Sequence, residues 1–302
     1  MAEATTTGTV AQGVQPPLLK WRIGDVTITR IVEMEGAGNS EFILPQATRE
    51  AVTEIPWLKP HFADEGGQLK MSIHALVIET PSQRIVVDTC IGNDKPRPDM
   101  PFGNQLQTRF LEDLEAAGFA RESIDTVLCT HLHVDHVGWN TMLVDGCWVP
   151  TFPGARYLMG RIEFEYWQTE PNTFASDPAI FHDSVKPVFE AGLVDLVDTD
   201  HVLCEEISLI PTLGHTPGHV SVRIESKGQV ALITGDFVHH PCQMARPDWA
   251  SASDYDPVHS TRTREQTFAE LAQTQTLVIG THFAVPTAGR VVRDGGAFRF
   301  EV

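Results

Sequence analysis

Four side chains able to bind a metal fall within six residues, in Thr130-His131-Leu132-His133-Val134-Asp135-His136-Val137-Gly138. Imidazole nitrogens combined with a carboxylate suit zinc, and also iron, manganese or cobalt. An extended chain puts alternate side chains on one face, so His131, His133 and Asp135 can project together. Asp135 and His136 are neighbours and would point apart in a strand. A turn eased by Gly138 would bring His136 back beside a second ion. With 13 histidines in the chain, the competing reading is a histidine-rich surface loop that binds nothing.

Three later segments favour the metal. Gly214-His215-Thr216-Pro217-Gly218-His219 is a turn-rich stretch after the apolar run Ile207–Ile210. Leu232-Ile233-Thr234-Gly235-Asp236 reads as a buried strand ending in Gly-Asp, and Leu277-Val278-Ile279-Gly280-Thr281-His282 as another ending at histidine. Each candidate ligand sits where a strand runs out, which is where sheets hold their sites. His215 and His219 lie in one turn and compete for the same role.

The elements that must position these residues follow from apolar and β-branched runs broken by turns. Strands are expected at Val26–Val32, Ala75–Glu79, Arg84–Val87, Thr126–Cys129, Tyr157–Met159, Val220–Ile224, Val230–Ile233 and Leu277–Ile279. Three- and four-residue apolar spacing predicts helices over Leu106–Ala117 and Thr263–Gln273. Strand groups interleaved with helices imply an α+β architecture in one domain over residues 18–302. Met1 to Pro17 lacks a basic start and an apolar stretch, so it reads as a flexible extension and not a secretory signal.

Composition narrows the function classes. With 22 Lys+Arg against 40 Asp+Glu, the formal charge is −18, which opposes nucleic acid and anionic membrane surfaces as partners. No apolar run approaches the roughly 18 to 20 residues a membrane span needs. Cys90, Cys129, Cys147, Cys204 and Cys242 are odd in number and scattered, suggesting reduced thiols and a cytoplasmic location.

The segment His131-Leu132-His133-Val134-Asp135-His136, followed in order by His215, Asp236 and His282, resembles the HxHxDH core of the metallo-β-lactamase-fold hydrolases. Ile233-Thr234-Gly235-Asp236, Pro241-Cys242-Gln243, Thr261-Arg262-Thr263-Arg264 and Gly280-Thr281-His282-Phe283 make it most similar to the lactonase and methyl-parathion-hydrolase-like group. The resemblance runs from about Met71 to the carboxyl terminus. It implies an αββα four-layer sandwich with two divalent metal ions, zinc foremost, at one edge between the sheets. His131, His133 and His215 would take one ion, and Asp135, His136 and His282 the other, with Asp236 bridging. It favours His215 over His219 as ligand. Asp88 matches a strand-end aspartate near the metals, with an ordinary turn residue as the alternative.

The activity so implied is hydrolysis: a metal-bridging hydroxide opens a lactone or cleaves an ester, an aryl ester or a phosphotriester. Asp135 would orient that hydroxide, and the partner would be a small neutral or weakly anionic substrate. Relatives are often homodimers. One departure matters: homoserine-lactone enzymes commonly carry a tyrosine three residues after the bridging aspartate, where this chain has His239. That imidazole could donate a hydrogen bond to the substrate or protonate a leaving group, or merely brace the turn before Pro241. A mononuclear iron dioxygenase and a noncatalytic metal-binding protein are the alternatives. Trp139, Trp148, Phe152, Trp167 and Phe174 are either core or cleft wall. Ile91–Asn104 and Met34–Phe42 are candidate flaps.

Overall fold

A computed structural model describes residues 18–38, 40–169 and 178–302. The expected extension at 1–17 and the candidate pocket residue Phe174 lie outside the described residues. In chain order the strands are β1 (Lys20–Ile23), β2 (Val26–Gly38), β3 (Leu69–Glu79), β4 (Arg84–Val87), β5 (Thr126–Leu128), β6 (Thr141–Val144), β7 (Cys147–Pro150) and β8 (Arg156–Gly160). There follow β9 (Val194–Val197), β10 (Ile207–Pro211), β11 (Val220–Ser226), β12 (Gln229–Ile233), β13 (Leu277–Ile279), β14 (Ala288–Asp294) and β15 (Ala297–Glu301). One sheet has the order β1-β2-β3-β4-β5-β8-β9, the other runs β10 to β15 in sequence, and β6-β7 is a separate hairpin.

Alternation along the strands builds three apolar layers. Ile85, Val87 and Leu128 face Ile207, Val222, Ile233 and Ile279 between the sheets. Val86 and Val127 face the other way, onto Phe110, Leu114, Phe164 and Val188. Leu232 and Val278 point outward from the second sheet onto Phe268 and Phe298. Three cores separate four layers, helix, sheet, sheet, helix, as the resemblance implied.

The helix ends differ from those predicted. The first expected helix begins at Phe110, because Leu106 is held in a bridge with Asn93. The second begins earlier, at Pro257, where the Asp256 side chain accepts from the amides of Val258 and His259 as an N-cap and proline fills the first turn. β2 and β3 are far longer than their apolar cores suggest. Among the described residues there is no helix long and apolar enough to cross a membrane.

Candidate metal centre

The parallel pairs β4–β5 and β12–β13 send their carboxyl ends to the same rim of the sandwich. β5 runs out into His131 and His133. His133 is still extended, at φ −71° and ψ 163°, and the short helix Val134–Val137 then turns Asp135 and His136 inward. Gly138 closes that turn so tightly against the loop after β4 that a Cβ there would lie 1.8 Å from the Ile91 carbonyl oxygen. The turn between β10 and β11 delivers His215, the end of β12 delivers Asp236, and the end of β13 delivers His282.

The structure brings all seven predicted ligands together. His131, His133 and His215 form one group, Asp135, His136 and His282 a second, and His131, His136 and Asp236 a third that spans them. Asp236 Oδ2 stands 3.9 Å from His131 Nε2, 3.6 Å from His215 Nε2 and 3.3 Å from His136 Nε2. Its Oδ1 is 3.1 Å from His282 Nε2. Two atoms bound about 2.0 to 2.1 Å from a tetrahedral ion stand roughly 3.4 Å apart, so these separations suit ions between the groups. His131 Nε2, His136 Nε2 and Asp236 Oδ1 are buried and have no hydrogen-bond partner among the described residues, as donors reserved for a cation would be. The set fits divalent metals.

Supporting carboxylates orient the rings. Asp88 accepts from His136 Nδ1 at 2.9 Å, from the Thr130 amide at 2.8 Å and from the Thr130 hydroxyl at 2.9 Å. His215 Nδ1 lies 2.9 Å from Asp254 Oδ1, and His282 Nδ1 lies 3.0 Å from the Ser72 carbonyl oxygen. Each partner leaves the opposite nitrogen lone pair directed at the cluster. His219 plays another part: its Nδ1 sits 3.0 Å from the Thr212 carbonyl and its Nε2 accepts from the Asp236 amide at 2.7 Å. Gly235, at φ +57°, makes that approach, since a Cβ there would stand 2.6 Å from the His219 ring nitrogen.

Electrostatics divide the site. Burial holds His131, His133 and His215 well below the ordinary histidine range, in the neutral form that ligates metals. Burial also opposes charge on His282 and His136, yet Asp236 with Asp135, joined at His136 by Asp88, outweighs it, lifting His282 to about 9 and His136 well above its usual value. Asp236, Asp135 and Asp88 thus demand positive charge where the second ion would lie.

His239 enters the same space. Its ring stands 4.8 Å from that of His215, its Nε2 is 3.3 Å from Asp236 Oδ2, and neither ring nitrogen has a hydrogen-bond partner among the described residues. It joins His133, Asp135, Asp236 and His282 on the wall of a pocket of about 410 Å³. Both candidate flaps line that pocket, Met34 and Phe42 from one and Met100 and Phe102 from the other, with the Phe42 and Phe102 rings 5.5 Å apart. Trp139, Phe152 and Trp167 are core residues, and Trp148 stacks on Lys95 Nζ at 3.7 Å. Sequence reasoning does not single out the role of Asp254 beside His215. It also missed Glu33, which accepts from the Ile91 and Gly92 amides and from the Trp139 indole. No local pattern marks either residue.

A four-layer sandwich with histidine and aspartate clusters at the rim between its sheets defines a class of metal-binding proteins. Residues 70–282 match the metallo-beta-lactamase superfamily, and the chain belongs to that superfamily. It is 29% identical over 167 residues to the N-acyl homoserine lactonase AttM of Rhizobium radiobacter, a match covering 53% of this chain and 59% of that relative. An N-acyl homoserine lactonase of Bacillus cereus is 22% identical over 183 residues, 57% of this chain and 66% of the other. The chain thus spans about three fifths to two thirds of the length of the curated relatives it matches. Among solved structures, the hydrolase AbOPH superposes with a TM-score of 0.77 at 25% identity, over 94% of this chain and 97% of that one. AidC, a dizinc quorum-quenching lactonase in complex with the product N-hexanoyl-L-homoserine, gives 0.74 at 20%, over 94% and 96%.

Proposed function

We propose that this protein is a metal-dependent hydrolase of lactones or esters, with aryl esters and phosphotriesters as further substrates. The observation that carries this reading is the position of Asp236, whose two oxygens lie within 3.1 to 3.9 Å of ring nitrogens from both ligand groups. One cation would be held by His131, His133 and His215, and the second by Asp135, His136 and His282, with Asp236 between them. Bound divalent ions, zinc above all for this donor set, supply Lewis-acid polarisation of a carbonyl or phosphoryl oxygen and acidify water.

The chain's own residues do the rest. Asp135, which faces the pocket, accepts a hydrogen bond from the attacking water and orients it. His239 donates from a ring nitrogen to the substrate oxygen or the leaving group. The apolar pocket wall excludes bulk water and holds the organic portion of the substrate.

Metal analysis combined with a panel of lactones, aryl esters, phosphotriesters and β-lactams tests this. Two zinc-like ions per chain and turnover of at least one lactone or ester are expected. A fully loaded protein inert on the panel, or one iron per chain with oxygen consumption, would overturn it.

A further inference from the structure

β2 carries one irregularity: its pairing with β3 shifts between Val32 and Met34, so Glu33 is the extra residue. A one-residue bulge reverses the facing of everything beyond it. Before the shift Arg30 stands opposite Leu76, and after it Glu35 stands opposite Ser72. Leu76, His74 and Ser72 share one face of β3, so Glu35 lands on the face of Arg30. Without the bulge it would face the other way, with Ile73 and Ala75.

The consequence is a buried cation carrying a carboxylate into the pocket. Arg30 has a side chain 1% exposed and donates from Nη2 to Glu35 Oε2 and, at 2.6 Å, to Ser72 Oγ. Its Nε and Nη1 are buried and without hydrogen-bond partners among the described residues, and Glu35 is the carboxylate it pairs with. The Glu35 side chain is 25% exposed and lines the pocket that holds His239 and His282. Ser72 lies between the two ends, since its amide donates to the His282 carbonyl at 3.0 Å. Glu35 and His282 are therefore two strand spacings apart, about 10 Å backbone to backbone. Elsewhere the pocket wall is largely apolar, with Met34, Ile43, Met71, Ile73 and Phe102.

We propose that Glu35, fixed by Arg30, is a specificity-determining residue that accepts a hydrogen bond from an N–H or O–H of the substrate. The site then takes neutral lactones or esters bearing a secondary amide or hydroxyl near the scissile bond, and rejects anionic ones. This rests on the hydrolytic reading above for the identity of that bond. A carboxylate in an apolar wall rejects a ligand that leaves it unpaired or sets a lone pair against it. Arg30 acts through Glu35 as a positioning residue.

Hydrolysis-resistant ligands test the role apart from turnover. A 2-(acylamino)cyclopentanone and its analogue with CH2 in place of N–H are titrated calorimetrically into the metal-loaded full chain. The protein is expected to bind the amide at least about tenfold tighter, the minimum for a hydrogen bond to a charged acceptor. Glu35→Gln keeps an oxygen on Arg30 but offers NH2 to the pocket, and should lose this preference. The double variant Arg30→Met/Glu35→Leu removes both charges together and should bind the two ligands within about twofold. Equal binding by the unaltered protein, or a preference that persists in the variants, overturns the proposal. Selective binding by a protein that hydrolyses no lactone supports the role of Glu35 while removing the hydrolase reading.

Discussion

Asp254 and His215 form a buried pair: one carboxylate oxygen lies 2.9 Å from His215 Nδ1, while Arg264 Nη1 reaches the other at 3.5 Å. Both carboxylate and guanidinium are inaccessible to solvent, so the imidazole is fixed by a partner that is itself fixed. Such partners tune metal affinity by roughly 10- to 100-fold. Asp254→Asn is therefore expected to weaken the ion at His131, His133 and His215, and Asp88→Asn the one at His136. Chelator competition checks each.

His239→Phe keeps an aromatic ring at the position but removes both ring nitrogens. It should lower kcat by about 100-fold, within the range for a positioned proton donor, and leave metal content unchanged. Turnover measured beside metal analysis separates this from loss of an ion. Unaltered kcat would reduce His239 to a brace of the turn.

Metal loading should also stabilise the fold. At a thousandfold excess over Kd, a ligand that binds only the folded state contributes about 4 kcal/mol, which for a chain this size raises Tm by roughly 6 °C. Calorimetric melts before and after chelation measure it. Identical melts would argue against cations in the cluster.

Acid should act on His240, away from the ligand set. Its Nδ1 accepts from the Cys242 amide and its Nε2 lies 2.9 Å from the Phe62 carbonyl, and burial pushes its pKa from 6.5 down to about 3. Between those values the unfolded chain holds the extra proton. Stability attributable to this group is thus full above pH 6.5 and falls by about 1.4 kcal/mol per pH unit toward pH 3. A His240→Gln variant should show a correspondingly flatter acid limb in urea titrations across that window.

Gly138→Ala would place a methyl 1.8 Å from a backbone oxygen, where no rotamer can relieve it. The loss of stability should be at least about 3 kcal/mol. Gly296→Ala, with nothing within 4 Å, should change little. Denaturant midpoints compare the two.

Much of this candidate site is legible in the residues because the candidate ligands are short-range signals. His131, His133, Asp135 and His136 lie in one run, and His215, Asp236 and His282 each follow an apolar strand core. Alternation along β4, β5 and β12 likewise gives the layers. What could not be read depends on pairings remote in the chain. Leu106 looks helical until its bridge to Asn93 is known. The bulge at Glu33 has no glycine or proline to announce it, and it alone decides which way Glu35 faces. Asp254 resembles any loop aspartate until the turn bearing His215 folds over it. The aromatics after the metal loop carry no mark of side, and most were claimed by the core.

Met71 stands opposite Phe283, and the Ser72 amide meets the carbonyl of His282, so a strand of the first sheet is stitched to the end of β13 in the second. A slip of one residue along that seam would rotate Ser72 away and withdraw His282 from His136. The spacing of the candidate ligands is thereby a gauge of whether the two halves have mated in register, and misassembled chains are expected to bind divalent ions less tightly.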